Sequence, residues 1–99
     1  MVHAYTQDVP IDLPTYERIL AEIGPEPLAG SLVHLCVRRP DGGLRYIDVW
    51  ESVEACAAAF DERIHPAVDT VLAADRPGEP TVTPLEVLHM SGAAVDAGR

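Results

Sequence analysis

Arg45-Tyr46-Ile47-Asp48-Val49-Trp50-Glu51-Ser52 is the stretch from which the rest of the chain can be placed. β-Branched and aromatic residues dominate its first six positions, and side chains on a strand point alternately to two faces. One face carries Tyr46, Asp48 and Trp50, and the other carries Arg45, Ile47 and Val49. At Ser52 the period changes. Val53, Ala57, Phe60, Ile64, Val68, Val71 and Leu72 recur at helical spacing, and Ser52 is a good N-cap. A strand that hands a tryptophan and a carboxylate to the start of a long helix builds one wall of a pocket.

Immediately upstream, Pro40-Asp41-Gly42-Gly43 is a hairpin turn, because Asp-Gly supplies the positive φ angles of a tight reversal. Before it, Gly30 to Arg39 forms the partner strand. Leu32, His34, Cys36 and Arg38 share one of its faces; Val33, Leu35 and Val37 share the other. Turn length decides which face meets which, since a one-residue slip exchanges them. A two-residue turn, the expectation carried forward, puts His34 with Ile47 and Val49. A three-residue turn puts it across from Trp50, where it joins Asp48 as an acid–base pair.

Towards the N-terminus, Val2 to Thr6 alternates as a first strand and residues 7–11 form a loop. Asp12 caps a helix that tolerates Pro14 in its first turn, where backbone N–H groups have no partner. Its apolar stripe is Leu13, Tyr16, Ile19, Leu20 and Ile23, and Gly24-Pro25 ends it. Beyond Ser52 the second helix runs to about Ala74, with Pro66 expected to kink it near Arg63 to His65. After a loop over 76–80, Thr81 to Met90 is a fourth strand, placed at an edge because Pro84 cannot donate to a central ladder. Residues 91–99 are small and polar and are expected to fray.

The order β-α-β-β-α-β predicts a single α+β domain over residues 1–90, ferredoxin-like, with a four-stranded antiparallel sheet and two helices on one face. Apolar residues occupy both faces of the second and third strands, and a sheet apolar on both sides needs a second cover. For a chain of 99 residues the expected cover is a second copy, which makes a homodimer.

Net charge is −9, with seven arginines and no lysine. That balance argues against nucleic acid, which requires a basic face, and against an anionic membrane surface. No apolar run is long enough to span a bilayer, and no basic-then-apolar leader opens the chain, so a cytoplasmic protein is expected. Cys36 and Cys56 match no metal or redox spacing, and four scattered histidines make no metal site.

Asp48-Val49-Trp50-Glu51-Ser52, followed by a helix containing Phe60-Asp61-Glu62-Arg63, resembles the dimeric α/β-barrel proteins of the antibiotic-biosynthesis-monooxygenase type. In element order the resemblance covers residues 2–90; its motif-level support lies within residues 42–66. It implies that Trp50, with Asp48 and Tyr46 on its face, borders a pocket closed by Phe60 and Tyr16. It also implies an activity that oxidises polycyclic aromatic substrates without metal or flavin, hence no cofactor. A haem-degrading branch carries a histidine ten residues past the tryptophan. Phe60 stands there in this chain, and His65 is displaced by about a turn. Oxidising members also use side-chain amides on the first strand, where this chain offers His3, Tyr5 and Thr6 and has no asparagine at all.

Each candidate has a plainer reading beside the functional one. Trp50 is either a core indole or a pocket wall. Asp48, costly to bury unpaired, either forms a salt bridge with Arg38 or Arg45, the first expectation, or serves as a general base. His34 is an interface histidine or the partner of Asp48. His65 is expected at the surface or the kink, and the cysteines are expected to be buried packing. The candidate catalytic residues are therefore Asp48 and His34. The candidate substrate-binding residues are Trp50, Tyr46, Tyr16, Phe60 and Tyr5, around an apolar or aromatic metabolite. The functions in play are a cofactor-independent monooxygenase, a non-redox isomerase or cyclase, and a non-catalytic binding dimer.

Overall fold

Strand β1 (His3–Val9) is followed by α1 (Leu13–Ile23), then β2 (Ser31–Arg38) and β3 (Leu44–Trp50). A helix in three parts comes next: α2 (Val53–Ala59), a π-helical turn (Phe60–Ile64) and α3 (His65–Leu72). Strand β4 (Val82–Leu85) closes the sheet. The structure is a computed structural model and describes residues 2–73 and 81–92. The strands lie in the order β2-β3-β1-β4, every neighbouring pair antiparallel, which is the ferredoxin-like α+β arrangement the sequence predicts. The end of the second helix at Ala74, the loop over 76–80 and residues 93–99 of the tail fall outside the described residues.

Local chemistry explains the boundaries. Asp12 caps α1 by accepting from the Thr15 amide at 2.9 Å, and Gly24 ends it at φ +93°. Ser52 caps α2 by accepting from the Ala55 amide at 3.0 Å. Gly30, at φ +83°, opens β2 where only a glycine fits: a Cβ there would lie 2.5 Å from that of Ala55. Strand β1 runs three residues beyond the expected Thr6, to Val9. Asp8, which reads as loop in isolation, sits opposite Arg45 and accepts from its Nε at 2.7 Å, and that cross-strand pair extends the ladder. Strand β4 is an edge as expected, but far shorter than 81–90.

The expected kink is present in a particular form. The His65 N–H bonds to the Phe60 carbonyl, five residues back, and Pro66 follows in the first turn of α3. A π turn relieves the clash a proline ring makes with the turn before it. The helical stripe differs from the one read in the sequence. Val53 is 58% exposed, whereas Cys56, Ala59 and Ala67 are the buried positions. Small residues at Cys56 and Ala59 let the helix approach the sheet, and the wider turn shifts the helical phase only of the residues after it.

Tyr5, Trp50, Cys56 and Ala59 form the core cluster, with Leu28, Phe60 and Ile64 packed against it. This core is small. Beside it, between the sheet and the helices, lies a cavity of about 430 Å³. On the opposite sheet face Leu35 and Val37 are 48% and 36% exposed.

Candidate active site

Turn length sets up the site. Arg39 and Gly43 pair across the hairpin end, with the Arg39 amide donating to the Gly43 carbonyl at 2.8 Å. Three residues, Pro40, Asp41 and Gly42, therefore make the reversal, with Gly42 at φ +93°. The two-residue turn is overturned, and with it the placing of His34 beside Ile47 and Val49. In the observed register His34 stands directly opposite Asp48, on the helix-covered face.

The two side chains are joined. His34 Nδ1 lies 2.6 Å from Asp48 Oδ1, and His34 Nε2 lies 2.7 Å from the Tyr16 hydroxyl. An ionised carboxylate can only accept, so Nδ1 donates to Asp48 and Nε2 is left to accept from Tyr16. Tyr16 reaches His34 from α1, one turn past the Asp12 cap, and its ring centroid lies 5.5 Å from that of Tyr46. The expected salt bridge from Asp48 to Arg38 or Arg45 is absent. Arg38 donates to the Gly42 carbonyl instead, and Arg45 binds Asp8. The Asp48 side chain is 6% exposed and that of His34 36%, so a nearly dry carboxylate backs an imidazole that solvent and ligand can reach.

A second polar cluster lies on the same wall. The Trp50 indole N–H donates to the Tyr5 hydroxyl at 3.2 Å, and that oxygen is 3.9 Å from Cys56 Sγ. Phe60 packs tilted against Trp50, and His65 meets Phe60 edge-on at 5.3 Å.

All seven residues singled out in the sequence border the cavity: Asp48, His34, Trp50, Tyr46, Tyr16, Phe60 and Tyr5. Sequence reasoning did not assign Gln7 and Cys56 to it, whereas His3, offered on the first strand, and His65, a possible though displaced substitute for the haem-branch histidine, also border it. His65 was expected at the surface or the kink. It stands at the kink and turns inward, and its place beside Pro66 was the available signal.

Electrostatics follow burial. The Tyr16 phenol is pushed up to about 12, by burial first and then by the Cys36 thiol and the Asp48 carboxylate. Burial likewise raises Tyr5 and Tyr46, with the charge of Asp48 adding to each. All three phenols are held protonated, as donors. The Cys56 and Cys36 thiols are also raised by burial, which keeps them from acting as thiolates. Among the described residues no three histidine, cysteine or acidic side chains gather to hold a metal ion, and no helix is long and apolar enough to cross a membrane.

No family model matches the sequence, and no curated protein matches it. Solved structures do match the fold. One, from Chloroflexus aurantiacus J-10-fl and named provisionally as an antibiotic biosynthesis monooxygenase, is 20% identical, with 93% of this chain and 100% of that one covered at a TM-score of 0.58. Another, an antibiotic biosynthesis monooxygenase, is 22% identical, with 90% of this chain and 100% of that one covered at a TM-score of 0.59. The class of fold is therefore the ferredoxin-like α+β arrangement of those structures, the one the motif around Trp50 implies.

Proposed function

We propose that the cavity binds an apolar, hydroxylated aromatic metabolite and that the chain acts on it as a cofactor-independent monooxygenase. The observation that carries this reading is the hydrogen-bonded series Asp48–His34–Tyr16, which ends in an apolar chamber. The substrate hydroxyl gives its proton to the Tyr16 oxygen as Tyr16 passes its own to His34 Nε2. Asp48 stabilises the imidazolium that forms, as a buried carboxylate does for a general base. Tyr16 never persists as a phenolate, in keeping with its raised pKa. The resulting electron-rich anion reacts with dioxygen at an activated CH2 position. One oxygen atom becomes the carbonyl oxygen, and the other leaves as water with the two hydrogens.

The test compares turnover of a hydroxylated polycyclic aromatic under oxygen and under argon. Oxygen-dependent conversion with one atom of labelled dioxygen in the product is expected. Equal conversion under argon would make the protein an isomerase or cyclase using the same proton relay, and binding without conversion in either gas would make it a binding module.

The working unit in this proposal is a homodimer joined through the sheet face that bears Leu35 and Val37, whose exposure on a small core calls for a cover. Sedimentation of the wild type is expected to give the mass of two chains and Leu35→Glu the mass of one. A single-chain mass for the wild type would end that part of the proposal. The two unpaired cysteines suit a reducing, cytoplasmic setting.

A further inference from the structure

Tyr5 is buried, borders the cavity and has no part in the proton relay. Its oxygen already accepts the Trp50 N–H at 3.2 Å, which fixes one side of the hydroxyl. Among the described residues, the one partner left for its proton is Cys56 Sγ at 3.9 Å, and sulfur is a weak acceptor. A buried donor that meets only a thiol is under-used, and an oxygen acceptor brought into the cavity would take that proton in preference.

The position of Tyr5 matters as much as its chemistry. His34, Asp48 and Tyr5 stand in one row across β2, β3 and β1, each directly opposite the next. Two strand spacings separate the backbones of His34 and Tyr5, about 10 Å. A base thus stands at one end of the row and a hydrogen-bond donor at the other, with Asp48 between them and Tyr46 and Trp50 bordering the same cavity.

We propose that the Tyr5 hydroxyl, held by the Trp50 indole, is a specificity-determining donor that binds a carbonyl oxygen conjugated through the ligand to the hydroxyl ionised at Tyr16 and His34. The ligand class is an extended hydroxy-carbonyl aromatic. Loss of the proton at one end sends negative charge to the carbonyl at the other, and the Tyr5 hydrogen bond strengthens as that charge develops. Burial and the charge of Asp48 keep Tyr5 protonated, so the donor is present throughout the ordinary pH range. The inference rests on the ligand-binding reading above and adds which functional group the second pole selects.

Two probes isolate the contact: umbelliferone, whose ionised hydroxyl is conjugated to its carbonyl, and β-naphthol, which has the hydroxyl and no carbonyl. Tyr5→Phe is expected to weaken umbelliferone about tenfold, the value of one hydrogen bond. It should also lower the fraction of bound umbelliferone that fluoresces as the anion. Affinity for β-naphthol should stay within about twofold, which shows at the same time that the variant is folded. Equal losses for both probes, or none for either, would overturn the role of Tyr5 while leaving the cavity reading intact. Failure of both probes to bind the wild type would overturn both readings. Should Tyr5→Phe not fold, the infrared band of carbonyl-labelled umbelliferone on the wild type decides. A band shifted to lower frequency supports the contact, and a band at the position found in an apolar solvent refutes it.

Discussion

Two carboxylates in this molecule pair with basic side chains across neighbouring strands, and they could hardly differ more in consequence. Asp8 accepts from Arg45 Nε at 2.7 Å, with Arg39 Nη1 at 3.4 Å, and its side chain is 44% exposed. The Arg45 hydrogen bond and positive charge hold the Asp8 carboxyl below its usual range, and water screens the whole group. Asp48 holds His34 at 2.6 Å with 6% of its side chain exposed, and the far nitrogen of that histidine reaches a cavity. The pairing chemistry is alike. Removal of water separates a clip on the sheet surface from a pair that, in the function proposed above, serves as a base towards a ligand.

The largest expected effect lies on the dry side. Asp48→Asn keeps the shape and removes the charge that stabilises a protonated His34. Turnover of a hydroxylated aromatic should fall about 10²- to 10⁴-fold in single-turnover assays, with affinity changed less than about threefold. Normal turnover would end the role of Asp48 as a base partner.

A middle-sized effect concerns the phenols that border the same cavity. Their folded pKa lies above the unfolded value, so their share of stability is fully present below the usual 10.0 and is lost as pH rises through about 12 for Tyr16 and higher still for Tyr5 and Tyr46. Phenolate absorbance and loss of helical circular dichroism should therefore appear together in that window. Titration of all three tyrosines near 10 with the fold retained would contradict the burial described for them. The smallest effect belongs to the exposed pair. Asp8→Asn should move the melting temperature by no more than about 2 °C and leave turnover unchanged, and moderate salt should mimic it.

The amphipathic α1 with its Asp12 cap, the Ser52 cap and the alternation through Asp48 and Trp50 were all legible in the sequence, because each is a local signal. The partner of His34 was not. Pro40-Asp41-Gly42-Gly43 supports a reversal of two residues or of three, and nothing within the turn chooses between them. The choice is made across the sheet, where the observed register puts Val33, Leu35 and Val37 on one side and His34 and Cys36 on the other. Asp8 was hidden for the same reason. A polar residue reads as loop until a strand far along the chain brings an arginine opposite it. The π turn announced itself only as a kink, since Pro66 signals a broken helix without saying how the break is absorbed.

That three-residue reversal makes the chamber's chemistry a matter of counting. Delete one residue between Arg39 and Gly43, and β2 must turn over against β3: the valine and leucine row swings inward, while the imidazole goes out to bulk solvent. Backbone pairing and hydrophobic content would survive almost unaltered, yet Asp48, still facing inward on β3, would lose its imidazole, and the series from Tyr16 through His34 would be cut. In the mechanism proposed above, the reading frame of a single bend thus separates a chamber with a proton relay from one without it.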